Sequence, residues 1–170
     1  MSKNTELTEL FCYNNQLTYL NIENTKIDYL DCKLNQLTSL DISKNHGLEG
    51  LECNDNQLTS LDVSQNPKLN YLDCSNNQLT DLDMSKQVKL RGLNCSNNQL
   101  TKLEINEITE LNYLDCSKNK LSADTLNALF RMLPKVESLL NHGINFKNNQ
   151  GTNDGDSSIA KNKGWKIENS

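Results

Sequence analysis

Aromatic residues are scarce in this sequence, at 5% of 170 residues, and apolar residues of all kinds reach only 35%. A closed globule of this length needs a larger apolar share to fill its core. A solenoid needs less, because the same few positions line a thin core in every turn. The composition therefore favours a repeat architecture.

Several classes of partner and reaction lack their usual signals. The net charge is −5, so there is no basic stripe for phosphates, and we expect no nucleic acid partner. No run of 18 apolar residues exists, and we predict no membrane insertion. His46 and His142 lie near no nucleophile motif, so we predict no enzymatic activity and no cofactor.

The first ten residues contain no apolar segment typical of a signal peptide. Two interpretations of the compartment follow. The protein is either cytosolic, or a mature or excised piece of a secreted one. The localisation is therefore unknown from these residues alone.

What the sequence does contain is a repeat of 20 or 21 residues. Its frame reads L-x-x-L-x-C-x-x-N-x-L, followed by T-x-L-D and an apolar residue, and residues 69–89 show it in full. Complete turns span residues 7–26, 27–47, 48–68, 69–89 and 90–110, and a sixth turn begins at Leu111. Fixed positions that recur at a fixed period predict the stacked turns of a solenoid.

Alternation inside each turn predicts strands. Leu72 and Cys74 are expected to face the core, while Tyr71 and Asp73 face outward. Stacked turns would pair such strands in a parallel sheet, with neighbours about 4.8 Å apart. The second half of each turn alternates in the same way and predicts a short strand on the opposite side.

The ninth position of each turn is an asparagine, whose amide can bond backbone groups of its own and adjacent turns where the chain bends. These residues are Asn15, Asn35, Asn56, Asn77, Asn98 and Asn119. We interpret them as structural.

The sixth position of each turn is a cysteine. The spacing of 20 or 21 residues fits neither paired zinc ligands nor a disulfide framework. Inward-facing neighbours on parallel strands lie too far apart at Cβ for easy bridging. We predict six free thiols, at Cys12, Cys32, Cys53, Cys74, Cys95 and Cys116.

The frame resembles a bacterial leucine-rich repeat of the 21-residue class called IRREKO, in its cysteine variant L-x-x-L-x-C-x-x-N-x-L-x-x-L-D-L. The match runs from residue 7 to about residue 122, with Asn21 and Glu104 at the aspartate position. The resemblance implies a curved solenoid, often secreted or on the cell surface, that presents its concave sheet to a partner.

The expected fold class is therefore an α/β-type, strand-dominated repeat solenoid. It would be a right-handed leucine-rich repeat coil with a parallel concave sheet, short strands on the convex side and a C-terminal cap that contains a helix. We expect residues 1–122 to hold the six turns, starting near residue 7, and residues 123–170 to form the cap.

Within the cap, Ser122 and the apolar residues that follow it at helical spacing predict a helix at about 123–133. Residues 143–147 match a degenerate strand. A short helix is expected at about 157–163, capped by Asp156 and ended by Gly164. Such a cap covers the core that the last turn of a solenoid would expose.

The N-terminal end shows no comparable cap. Its edge strand would carry Phe11 and Tyr13 outward, and exposed strand edges tend to pair. Three interpretations stay open: the chain is a fragment of a longer protein, the edge self-associates, or residues 1–6 suffice as a cap.

Outward positions of the strands carry two candidate binding features. The fifth position holds a ladder of carboxylates, which costs stability unless the charges are countered. An open sheet offers no cleft for a glycosidase acid and base. We interpret the ladder as a docking surface for a basic or polar partner, or as a solvated face, and a cation site stays open. These residues are Asp31, Glu52, Asp73 and Asp115.

The third position alternates tyrosine with glycine. Tyr29, Tyr71 and Tyr113 lie two strands apart, with Gly50 and Gly92 between them. Exposed tyrosines are typical contact anchors. Alternatively, the rings pack over the glycine backbone and shield the sheet.

Together these features favour a non-enzymatic binding module that presents an acidic and tyrosine-rich concave face to a protein or peptide. The first alternative is a structural or self-assembling segment of a larger bacterial surface protein, and the second is a carbohydrate-binding face. The candidate face comprises Tyr29, Asp31, Glu52, Tyr71, Asp73, Tyr113 and Asp115.

Overall fold

The computed structural model describes residues 4–105, 108–136 and 142–168. Within these ranges, eight short strands form one parallel sheet in chain order. They are β1 Glu9–Phe11, β2 Tyr29–Asp31, β3 Gly50–Glu52, β4 Tyr71–Asp73, β5 Gly92–Asn94, β6 Tyr113–Asp115, β7 Gly143–Asn145 and β8 Lys166–Ile167. The predicted parallel-sheet solenoid is confirmed.

The register of the sheet follows the repeat. From β1 to β6, third, fourth and fifth positions of neighbouring turns pair with each other, so Tyr29 lies opposite Gly50, and Gly50 opposite Tyr71. Equivalent side chains therefore form files that run across the strands. A single residue type repeated along the chain becomes a continuous row on the protein.

Two of these files form the core beside the sheet. From the second turn onward, the fourth-position leucines and the sixth-position cysteines are fully buried, as Leu72 and Cys74 illustrate. Fully burying a leucine side chain contributes about 1.5–3 kcal/mol. The small apolar share of the sequence suffices because most of it lies at buried positions.

The second half of each turn departs from the prediction. Its alternate residues are buried, as at Leu82 and Met84, but the described ranges contain only one isolated parallel bridge there, Asp83 to Glu104. The predicted strands on this side are wrong. The carboxylate of Asp83 accepts from the backbone N–H of Ser85 at 2.8 Å, and this local turn bends the chain before a ladder can extend.

The asparagine file fastens each turn to the one before it. The Asn77 amide Nδ2 donates to the carbonyls of Cys53 and Cys74, each at 3.1 Å, and its Oδ1 accepts from the Leu58 N–H at 2.9 Å. The same bonds recur at Asn56, Asn98 and Asn119. Buried backbone groups at the bend are thereby satisfied.

The eighth position, just before each asparagine, makes the bend itself. Residues there adopt φ between 52° and 58°, in the left-handed region. Most are asparagine or aspartate, which tolerate this conformation, but Leu34 and Lys118 do not share that advantage. The full set is Asn14, Leu34, Asp55, Asn76, Asn97, Lys118 and Asn148.

The C-terminal segment continues the coil and then closes it. Strand β7 pairs with β6, and Asn149 donates to the carbonyls of Cys116 and Phe146, at 3.0 and 2.8 Å. Asn149 therefore occupies the next position of the asparagine file. The core continues into this segment, where Ile144 is fully buried.

Helix α1, Ala123–Met132, begins at Ser122, whose hydroxyl accepts from the Thr125 N–H at 3.2 Å. Its Leu126, Leu129 and Phe130 are fully buried. A second helix, α2, spans Ser158–Lys161. No helix in the described ranges is long and apolar enough to cross a membrane.

Helix α2 is shorter than the predicted 157–163. Asp156 does not occupy the N-cap position, which falls on Ser157, although its carboxylate accepts from the Ser158 N–H at 3.0 Å. Hydrogen bonds from the Ser158 hydroxyl and from the Ser158 N–H lower the pKa of Asp156. Gly164, predicted to end the helix, adopts φ of 91°.

The first turn is less well covered than the others. Leu7, Leu10, Cys12 and Leu17 are only half-buried, whereas their counterparts in the second turn are fully buried. In the described residues β1 pairs only with β2. Residues 1–3 of the suggested N-terminal cap lie outside the described ranges.

We expect Asn77→Ala to lower the free energy of unfolding by about 3 kcal/mol. The substitution leaves buried backbone groups without a hydrogen-bond partner, at a cost of about 1–3 kcal/mol each. The neighbouring exposed Gln78, changed to Ala, should alter stability by less than about 0.5 kcal/mol. Urea unfolding of both variants measures the difference. Equal losses would contradict the role given to the asparagine file.

Candidate functional site

The seven predicted site residues lie on one side of the sheet. We call this side the sheet face; it consists of the third-, fifth- and seventh-position side chains of the turns that carry β1–β7. Strand pairing brings the predicted residues into two neighbouring files. Tyr29, Tyr71 and Tyr113 lie in one, and Asp31, Glu52, Asp73 and Asp115 in the other.

The tyrosines lean onto the next strand. A Cβ atom added at Gly50 would lie 2.5 Å from Cδ2 of Tyr29, and one at Gly92 would lie 2.9 Å from Cδ2 of Tyr71. Both distances are too short for a real side chain, so these rings occupy the space that glycine leaves free. The alternation of tyrosine and glycine therefore reflects packing. Nevertheless, 37% of Tyr71 stays exposed.

Tyr29 is held at both ends. Its ring centroid lies 5.5 Å from that of Phe11, and its hydroxyl donates to Oε1 of Glu52. Burial raises the pKa of Tyr29 and the hydrogen bond to Glu52 raises it further. Similarly, burial and the nearby Asp115 raise the pKa of Tyr113 to about 12. Both hydroxyls are neutral donors at physiological pH.

The first part of the carboxylate file is neutralised by a residue that we did not predict as a partner. Lys33 Nζ lies 3.1 Å from Oδ2 of Asp31 and 2.6 Å from Oε2 of Glu52. Burial alone would raise the pKa of Glu52, but hydrogen bonds from Lys33 and Tyr29 outweigh it and the pKa is lowered. The signal in the sequence was a lysine two residues after Asp31, on the same face.

The second part of the file uses amides instead of a cation. Asp73 accepts from the Ser75 hydroxyl at 2.6 Å and from Asn94 Nδ2 at 3.0 Å. Asp115 accepts from Asn145 Nδ2, also at 3.0 Å. From Asp73 to Asn145, fifth-position acids and amides thus alternate along the sheet, whereas Glu52 and Asp73 lie opposite each other on neighbouring strands.

All four carboxylates of the file are therefore hydrogen-bonded within the protein. The described residues contain no group of three His, Cys, Asp or Glu side chains placed to hold a metal ion. The arrangement is a rigid row of oriented acceptors, whose chemistry suits hydrogen bonding to a partner.

The six cysteines, all within the described ranges, are unpaired thiols behind the sheet. Burial raises the pKa of the cysteines from Cys32 to Cys116, which keeps them as thiols. Cys12 is only half-buried. The buried members are core residues and not nucleophiles.

Two aromatic side chains extend the sheet face toward its first strand. Phe11 and Tyr13 are 56% and 50% exposed, and Lys33 Nζ lies 5.5 Å from the centroid of the Tyr13 ring. The sequence placed both residues outward but did not include them in the candidate face. They add apolar contact area beside the neutralised end of the carboxylate file.

Comparison with family models matches residues 46–87 to leucine-rich repeats in two copies and residues 89–111 to a single leucine-rich repeat. A comparison with curated proteins finds no match.

Solved structures give longer matches. The functional domain of InlJ from Listeria monocytogenes, which includes a cysteine ladder, is 34% identical over 94% of this chain, with a TM-score of 0.67. A leucine-rich repeat protein from Leptospira interrogans is 24% identical over 96% of the chain, and the internalin InlF from Listeria monocytogenes is 21% identical over 98%. Their TM-scores are 0.74 and 0.80, and at these identities they show the fold alone.

The chain covers 38% of the InlJ domain and 49% of each of the other two structures. It therefore spans less than half of their length. This chain has its own file of six cysteines, at the sixth position of its turns.

We expect Lys33→Met to lower the free energy of unfolding at pH 7 by about 1–2 kcal/mol, because two half-buried or buried carboxylates lose their shared cation. Lys33 helps lower the pKa of Glu52 in the folded state, so its contribution is present above the unfolded value of about 4.3 and is lost as the pH falls through the folded value. The difference between the two proteins should therefore shrink as the pH falls through that range.

Lys44→Met, at an exposed lysine with no ion pair among the described residues, serves as the control. Denaturant unfolding at several pH values checks the effect. A difference between wild type and Lys33→Met that persists unchanged at low pH would contradict the electrostatic role.

Proposed function

Because the chain is a leucine-rich repeat protein with cysteine-bearing repeats, we propose that it is a binding module that holds a protein or peptide partner on its sheet face. One observation carries this proposal: Phe11, Tyr13 and Tyr71 remain exposed side by side with a row of oriented carboxylates. Exposed aromatic residues beside fixed acceptors are typical of contact surfaces. The core does not need these side chains.

The geometry supports specific roles. Tyr71 would act as the central anchor, with Tyr29 and Tyr113 as supporting contacts. The carboxylates of Asp31, Glu52, Asp73 and Asp115 would offer acceptors that are already oriented by Lys33, Ser75, Asn94 and Asn145. A surface whose side chains are held in place loses less conformational entropy when a partner binds.

We propose no catalytic role for the chain. The thiols from Cys32 onward are buried and protonated, and the carboxylates lie on an open face where their hydrogen bonds are already made. This combination supports recognition better than acid–base or nucleophilic chemistry.

We expect Tyr71→Ala to weaken binding of the natural partner by at least about tenfold, as the loss of an aromatic anchor does. Tyr19→Ala is the matched control, since Tyr19 is 69% exposed in the second half of its turn, away from the strands. Proteins captured from cell extracts by the wild-type chain would be identified and their affinities measured against both variants. Equal affinity for the two variants would contradict a partner on the sheet face.

A second candidate function is self-association through the first turn. Its favouring observation is the half-buried set Leu7, Leu10, Cys12 and Leu17 beside strand β1, which pairs only with β2 within the described ranges. A second copy of the chain could cover this apolar end and pair with the strand edge. The sequence suggested self-association at this same edge.

If the first turn self-associates, the apparent mass in light scattering should rise with concentration, and Phe11→Lys should weaken the dimer by at least about tenfold. Val88→Lys, at a residue that is 43% exposed and lies outside the strands in the fourth turn, should leave the dimer intact. A strict monomer at the highest soluble concentration would rule this candidate out.

A further inference from the structure

The sheet face carries the same tyrosine–glycine–tyrosine arrangement twice, and different charged or polar residues lie beside each copy. Tyr29, Gly50 and Tyr71 lie on consecutive strands, and the register places Tyr71, Gly92 and Tyr113 in the same relation two turns later. We call these the first and the second frame. Because the backbone is the same, any difference between them comes from the side chains at their rims.

The first frame encloses a depression of about 410 Å³. The ring of Tyr29 lies on Gly50, while the ring of Tyr71 leans away onto Gly92. A gap therefore opens between the two rings, and each contributes to its walls. The lining residues are Asp28, Tyr29, Glu49, Gly50, Asn70 and Tyr71.

Two exposed carboxylates, Asp28 and Glu49, form the rim of this depression. They occupy second positions of neighbouring turns, and their backbones are joined by the Glu49 N–H donating to the Asp28 carbonyl at 2.7 Å. In contrast to the fifth-position carboxylates, neither has an ion pair or side-chain hydrogen bond among the described residues. Their charges are open to a ligand.

The second frame has a different rim. Asn70 and Arg91 take the places of Asp28 and Glu49, and Arg91 Nε donates to Oε2 of Glu110 at 2.9 Å. A neutral amide and a paired guanidinium replace two free carboxylates. The protein thus offers aromatic walls in both frames, but only the first frame has a rim of two carboxylates without an ion pair among the described residues.

We propose that the first frame binds the guanidinium of an arginine side chain from a partner peptide. A planar cation stacks on tyrosine faces, and the guanidinium can donate to two carboxylates at once. The aromatic walls supply the first contact and the rim of Asp28 and Glu49 supplies the second. This inference deepens the proposed function, on which it rests, by naming the chemistry of the partner.

The test uses blocked arginine, N-acetyl-arginine methylamide, as the probe and blocked citrulline as its uncharged isostere. Titration of the ¹⁵N-labelled chain is followed by amide chemical shifts. We expect arginine to shift Gly50 and its neighbours, and to bind at least about fivefold more tightly than citrulline. No shift at Gly50, or equal affinity for both probes, would overturn the proposal.

Two double variants test whether the carboxylates of Asp28 and Glu49 are the groups that bind the arginine probe. Asp28→Asn with Glu49→Gln should reduce the affinity for arginine at least about fivefold, while Glu23→Gln with Asp81→Asn, the same loss of charge away from the strands, should leave it within about twofold. Equal weakening by the two double variants would overturn the proposal, because the effect would then be one of net charge. Their amide spectra also report whether each variant is folded.

The second frame offers the converse experiment. Arg91→Glu gives it an acidic rim, and arginine should then shift Gly92 as well as Gly50. An unresponsive Gly92 in a folded variant would show that the rim does not decide binding. The proposed function is judged separately. If Tyr71→Ala loses the natural partner although blocked arginine does not bind, the proposed binding face is supported and the proposed arginine site is rejected.

Discussion

The structure depends on one hydrogen-bonded unit, the buried asparagine at the ninth position. From the second turn onward, each such amide joins carbonyls of two successive turns and accepts from a backbone N–H of the preceding turn, as Asn77 does for Cys53, Cys74 and Leu58. Without these bonds the left-handed bend at each strand end would leave buried backbone groups unsatisfied, at a cost of about 1–3 kcal/mol each. The strand register, and with it every file on the sheet face, follows from this fastening.

The residues of each turn are therefore of two kinds, those that fix the fold and those that are exposed on the sheet face. Leucines, cysteines and asparagines fix the turn, while third-, fifth- and seventh-position side chains can vary within limits that their neighbours set. Two examples show these limits: a tyrosine such as Tyr29 requires a glycine on the following strand, and the neighbouring acids Asp31 and Glu52 share the cation of Lys33. Exposed residues that meet no such limit, including Asp28 and Glu49, are the freest to serve recognition.

The repeat made most of the fold predictable, because each position has the same structural role in every turn. Leu72, Cys74 and Asn77 are placed as their period indicated. The second-half strands were wrong because alternation predicts burial but not pairing, and the turn closed by Asp83 stops the ladder. The partners of the carboxylates were also missed, since Lys33 reaches Glu52 and Asn94 reaches Asp73 across neighbouring strands.

Native-state hydrogen exchange tests the separation of fold from recognition most directly. The backbone amides of Leu58 and Leu79, which donate to residues of the asparagine file, should be among the slowest to exchange. Tyr71→Ser should change the protection of these amides by less than about tenfold. Rapid exchange of these amides in the wild-type chain, or a large loss of protection in the variant, would contradict the account.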